Sequence, residues 1–264
     1  MSNRSIATAI AALLVLPAGT IAGQRTNDES RLVVGLNLGH IGGGELWGTT
    51  QPIPANNAQT DQFALSRNLR GNITMSGHLI YFPRPTLGIS GELVYLGLGT
   101  TSQCRLLTTT GDVFNRLACD ALVGKEGSAS AIGLLAGGVW RPVPRGDVQL
   151  YVKGQGGLAL VPRSTTSLTS FFGIEDEFAL PIYTEDGSRV AAPIGTLSFG
   201  LATAPNNGYQ FSVEFRATAV QLQVVEGPAA RGDFNPVVGS AWQVLPSVTL
   251  GFDIVLEKRR GRRY

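Results

Sequence analysis

The sequence predicts an all-β fold, a transmembrane antiparallel up-and-down barrel of eight strands. Three observations predict it. Eight segments alternate apolar and polar residues with period two. Each runs about ten to thirteen residues, close to the nine to eleven that a tilted strand needs to cross a bilayer. The connections between them are alternately short and long, as in barrels with tight turns on one side of a membrane and loops on the other.

Residues 1–23 read first as an export signal. Arg4 gives a short positive region, and Ile6 to Leu16 form an apolar run of eleven residues interrupted only by Thr8. Pro17 follows, and Thr20-Ile21-Ala22 supplies the small residues for a cut after Ala22 or after Gly23. Such a run rises about 16 Å as a helix, half of a roughly 30 Å hydrocarbon core, so it does not read as an anchor.

Residues 24–257 then carry the barrel. The first segment, Arg31 to His40, sets Leu32, Val34, Leu36 and Leu38 against Val33, Gly35, Asn37 and Gly39. The second, Gly71 to Tyr81, sets Ile73, Met75, Leu79 and Tyr81 against Asn72, Thr74, Ser76 and His78. In the third, Leu87 to Leu98, Leu87, Ile89, Leu93 and Tyr95 oppose Gly88, Ser90 and Glu92. The fourth, Ser130 to Arg141, is so rich in Gly and Ala that its faces stay ambiguous. The fifth, Val148 to Leu160, sets Val148, Leu150, Val152 and Leu158 against Gln149, Tyr151, Lys153 and Gln155. The sixth, Ile194 to Ala204, sets Leu197, Phe199 and Leu201 against Ser198, Gly200 and Ala202. The seventh is the clearest: Tyr209, Phe211, Val213 and Phe215 alternate with Gln210, Ser212, Glu214 and Arg216. The eighth, Ser247 to Leu256, sets Val248, Leu250, Phe252, Ile254 and Leu256 against Thr249, Gly251 and Asp253.

The short connections are Pro83-Arg84-Pro85-Thr86, Pro142 to Asp147 and Pro205-Asn206-Asn207-Gly208, all rich in turn formers. The long ones span 41–70, 99–129, 161–193 and 217–246. An even strand count places both chain ends in the periplasm. A ten-stranded variant stays open if Phe178–Thr184 and its neighbours form another hairpin. Tyr81, Phe82, Tyr95, Trp140 and Tyr209 fall near segment ends, where interfacial aromatic girdles sit, or simply where aromatic residues happen to fall.

The chain of 264 residues contains 34 Gly, is 15% charged and carries a net charge of +2, which argues against disorder and gives no reason to expect a nucleic-acid partner. Lys258, Arg259, Arg260, Arg262 and Arg263 concentrate the positive charge in a basic tail, 258–264. The tail reads as a solvated charge run or as a contact for acidic head groups or cell-wall polymer. Cys104 and Cys119 are expected to pair in an oxidising compartment, closing a loop worth roughly 3 kcal/mol in the chain-entropy model. Two buried free thiols are the alternative.

Over nearly its whole mature length, this pattern resembles the small eight-stranded bacterial outer-membrane barrels of the OmpA, OmpX and OmpW kind. The resemblance is architectural and rests on no sharp motif. It implies residence in the outer membrane with exposed loops outside. One departure stands out: such barrels end on a strand with a terminal aromatic, whereas Arg259 to Arg263 separate Tyr264 from the last apolar stripe.

Two constellations carry candidate chemistry. Glu92, Lys153, Glu214, Arg216 and Asp253 all fall on polar faces, and an eight-stranded barrel is only wide enough for side chains to fill. They are expected to pair as a plug of the lumen, with a gated path as the sharper alternative. Ser76 and His78, two apart, share a strand face like the His and Ser of some lipid-hydrolysing barrels. The order is reversed, however, the pair faces the lumen near a turn, and Glu92 looks a residue or more off the height that would orient His78. No metal site and no cofactor are expected, and the glycine runs lack the context of a phosphate cradle.

The expected function is structural or by surface interaction, through four long loops holding Trp47, Phe114, Phe171, Phe172, Phe178 and Phe234. A narrow passage for small solutes or hydrophobic molecules is the alternative, and lipid modification the third. The expected partners are outer-membrane lipids and an extracellular ligand or surface partner at the loops.

Overall fold

The computed structural model describes residues 31–257 apart from 56–58, 109, 145–146, 185–187 and 231–232. The expected signal at 1–23 and the basic tail at 258–264 therefore lie outside the described residues.

Twelve strands and one helix are described: β1 (Arg31–Ile41), β2 (Glu45–Pro54), β3 (Thr60–Arg70), β4 (Asn72–Arg84), β5 (Leu87–Thr108), α1 (Val113–Leu122), β6 (Glu126–Trp140), β7 (Val148–Pro162), β8 (Leu168–Phe172), β9 (Phe178–Tyr183), β10 (Arg189–Thr203), β11 (Tyr209–Gly227) and β12 (Val237–Glu257). Eight of them, β1, β4, β5, β6, β7, β10, β11 and β12, form an antiparallel ring. β12 closes it on β1, from Arg31 opposite Glu257 to Ile41 opposite Ser247. Closure matters because an open edge in hydrocarbon would leave peptide groups unpaired at several kcal/mol each.

All eight predicted segments fall on ring strands, three of them overrunning by one residue at Gly71, Arg141 and Ala204, and the ambiguous fourth is resolved. In β6, Ile132, Leu134 and Trp140 point out, and Ala131, Leu135 and Val139 point in. The ring stays at eight because β8 and β9 pair only with each other in a separate two-stranded sheet. The hairpin considered around Phe178 therefore forms, but it packs above the barrel rather than widening it.

At one end the ring strands are joined by short turns. One of them, between β10 and β11, pairs Asn206 with Tyr209 across Asn207 and Gly208. Both central residues have positive φ, 53° and 85°, which is why Asn-Gly stands there.

The opposite end differs from expectation. Much of the four predicted loops is ordered β-structure that continues the barrel wall as a crown. β5 runs 22 residues, β11 19 and β12 21. β3 takes over from β4 alongside the upper half of β5, with Arg70 opposite Gly99 and Ser66 opposite Gln103. β2 leaves β1 through Gly42-Gly43-Gly44 and folds back on β3. Gly43 is required there because a Cβ would lie 1.9 Å from the Leu69 carbonyl oxygen.

The face rule inverts along the wall. On the lower part of β11, Phe211 and Phe215 point outward at 61% and 54% exposure. Higher up, Val220 and Leu222 point inward and are fully buried, while Gln221 and Gln223 take the outer face. Lipid surrounds a membrane barrel's wall at the first level and water at the second, so the same alternation serves opposite needs.

Candidate functional site

Each ring strand presents alternate side chains to a lumen too narrow to stay empty. Three layers fill it. Nearest the short turns, Val33, Ile80, Phe82, Val139, Tyr151, Ala202 and Val255 form an apolar layer. Toward the crown, a larger apolar cluster includes Ile41, Val94, Leu96, Leu135, Ile194, Leu222 and Leu245. The charged residues lie between them.

Glu92 on β5, Lys153 on β7 and Glu214 and Arg216 on β11 converge in that middle layer. Lys153 Nζ lies 3.0 Å from Glu92 Oε2 and 2.9 Å from Glu214 Oε2. Arg216 reaches Glu92 at 2.5 Å and Glu214 at 2.7 Å. The Tyr151 hydroxyl donates to Glu214 at 3.0 Å. Two cations and two anions thus alternate around one ring, each bridging both opposite charges. Lys153 is only 1% exposed, whereas Leu36 and Leu250 on the exterior are 70% and 66% exposed. Charge inside and bulky apolar groups outside is the reverse of a water-soluble protein. Acyl chains are the surrounding that such an exterior fits.

Asp253 does not join this ring. It sits 3.1 Å from His78 Nε2, because β12 and β4 flank β1 and bring the two side chains together over Gly35. Asn37 Nδ2 lies 3.4 Å from His78 Nδ1 and donates to Ser76 Oγ at 3.4 Å. The register sets His78 directly opposite Glu92, so the expected mismatch in height is wrong. Glu92 nevertheless turns to Lys153 and Arg216. Beside this cluster, the space lined by His78, Arg141, Tyr151, Gln210, Glu214 and Asp253 measures about 10 Å³, room for roughly one water. Ser76 and His78 are each 7% exposed, both inside the filled lumen. The plug is therefore partly apolar, where a polar and ionic one was expected.

The aromatic expectations divide. Tyr81, Tyr95, Trp140 and Tyr209 face outward, but Phe82 is 2% exposed and packs under the Arg141 guanidinium. Trp47, expected on the recognition surface, is buried: its indole donates to the Thr165 carbonyl at 3.0 Å and its ring packs on Tyr183. In both cases the strand phase carries the ring inward.

The crown is bound into one body. Cys104 and Cys119 form a disulfide that fixes α1 to β5. Asp112 caps α1 by accepting from the Phe114 and Asn115 amides. Asn115 Nδ2 donates to the Pro54 carbonyl and to Asp61, joining the helix to the β2–β3 hairpin. Burial pushes the Asp61 carboxyl up, but the bonds from Asn115 and Thr110 outweigh it and hold it below the ordinary range. Gln51 accepts from the Tyr183 hydroxyl and the Ala229 amide. Arg67 donates to the Thr165 and Ser167 carbonyls and to Thr100, and burial lowers its guanidinium to about 10. Sequence reasoning missed Gln51, Asp61 and Arg67, which join segments far apart in the chain.

The ring, the apolar exterior and the filled lumen define an eight-stranded outer-membrane-type β-barrel with a structured crown. No family model and no curated protein matches the sequence. Similar solved structures include Neisserial surface protein A, at 8% identity over 84% of this chain and 96% of that one, with a TM-score of 0.41. They also include the outer membrane protein AlkL in lipid bilayers, at 13% identity over 93% and 99%, TM-score 0.39. A third is Ail of Yersinia pestis in complex with the heparin analogue sucrose octasulfate, at 11% identity over 88% and 100%, TM-score 0.37. At such scores the likeness carries no argument, and the class rests on this chain's own ring and exterior.

Proposed function

We propose that this chain is a closed, non-conducting outer-membrane barrel that acts structurally or by surface interaction through its crown, without catalysis. The export signal, cut after Ala22 or Gly23, belongs to this reading, as do outer-membrane lipids around the exterior. The observation that carries it is the filled lumen: an ionic ring between two apolar layers, under a crown whose segments are bound together. Buried charges that each bridge two opposite partners stay put, because breaking one contact leaves another unpaired.

Single-channel recording in a planar bilayer tests it. The expected result is no steady current at any holding potential, and a stable unitary conductance would replace this reading with the narrow-channel one. Lipid analysis of cells carrying Ser76→Ala is expected to match the parent. An acyl-chain difference between the two would reinstate the hydrolase.

A further inference from the structure

We infer that the crown carries a docking site for a basic amphipathic segment of another protein, built from the outward face of α1 and the tip of the β8–β9 hairpin. The inference rests on the surface-interaction reading and gives its partner a chemistry.

The helix carries apolar groups on its outward as well as its inward face. It buries Asn115, Ala118, Cys119 and Leu122, and it exposes Val113 at 60%, Phe114 at 56% and Leu117 at 45%. A surface helix without a partner places its bulkiest apolar groups inward. Nothing about this helix is loosely held: the disulfide, the Asp112 cap and the Asn115 bonds fix the inward face. Its apolar outer face is thus ordered before any partner arrives, which lowers the entropic cost of binding.

The hairpin lies against the inward side and the C-terminal end of the helix. Ser170 Oγ donates to the Ala118 carbonyl at 2.7 Å, seating β8 on α1. Its tip exposes Phe171, Ile174 and Phe178, with Phe178 stacked on Phe172. Asp120, Glu175, Asp176 and Glu177 are exposed around these apolar groups. Two cations lie near: Lys125, engaged with the Phe171 ring and the Thr169 carbonyl and close to Asp176, and Arg116, exposed on α1, so the four carboxylates still outnumber them.

Acyl chains are not the occupant. Cys104, which anchors α1, lies roughly 20 Å beyond Tyr95, the last outward belt residue named on β5, for a strand tilted about 40°. An anionic membrane surface is repelled by the acidic rim. An apolar stripe flanked by Lys and Arg satisfies both parts of the site.

The test uses the full chain in phosphatidylcholine nanodiscs and a fluorescent amphipathic helical peptide of Leu and Lys, with its Leu and Glu counterpart as control. Binding is read by anisotropy at low and high salt. The Leu/Lys peptide is expected to bind and the control not. Phe114→Ser with Leu117→Ser is expected to weaken binding by about tenfold or more. Glu175→Gln, Asp176→Asn and Glu177→Gln together are expected to weaken it and flatten its salt dependence. All five positions are exposed, so the barrel's gel mobility serves as the folding control. Failure of the Leu/Lys peptide to bind, equal binding of the control, or undiminished binding to the Phe114/Leu117 variant overturns the site. A chain that ignores the peptide yet passes no current keeps the surface-interaction reading and loses only this inference. One that conducts loses that reading.

Discussion

Lys153 shows how much a single side chain decides in a closed lumen. It bridges Glu92 and Glu214, and the same two carboxylates receive Arg216. Lys153→Met removes one cation and leaves three charges that no longer balance, in a site closed off from bulk solvent. The expected cost is about 3–5 kcal/mol, read as a lower urea midpoint for the protein folded in liposomes. Replacing all four charges by apolar groups of similar volume is expected to cost much less, because no charge is then stranded. His78 belongs to a separate pair with Asp253, and its loss is expected to leave the ionic ring intact.

At the scale of elements, the crown and the ring have different supports. The ring is held by ladders that return to their starting strand, and the crown by a disulfide and a few long-range polar bonds. Reducing Cys104–Cys119 is therefore expected to release α1 without opening the barrel. The constraint lost is about 3 kcal/mol in the chain-entropy model, felt locally. Limited proteolysis checks this: new cleavage between 105 and 125 under reductant, with the membrane strands still protected. Simultaneous digestion of the ring would show that crown and barrel unfold as one unit.

For the whole molecule, closure turns eight marginal strands into one cooperative body. Every membrane-level peptide group of a closed ring has its partner within the ring, so unfolding in detergent has no free edge from which to begin. The unboiled protein is expected to migrate differently from the boiled protein in detergent gels. Identical migration would contradict the sealed cylinder.

How much of this was legible in the chain depends on where the information resides. At membrane level, lipid outside and a narrow polar lumen inside impose one rule on every strand. Phe211, Val213 and Phe215 against Gln210, Ser212 and Glu214 therefore declared both the strand and its orientation. The turns were equally legible, since Asn207 and Gly208 carry their own backbone preference. Two cysteines in a chain read as exported pointed to the pairing of Cys104 with Cys119.

Above the membrane that rule fails, and sequence alone determined little. Val220 and Leu222 keep the alternation but reverse its meaning, and Trp47, read as a surface anchor, is buried. Only the tertiary structure decided that the long connections are a β-crown, that Asp253 turns to His78, and that α1 leaves Phe114 and Leu117 exposed. The physical reason is that local alternation fixes which residues share a face, whereas the medium each face meets depends on height above the bilayer and on strands distant in the chain.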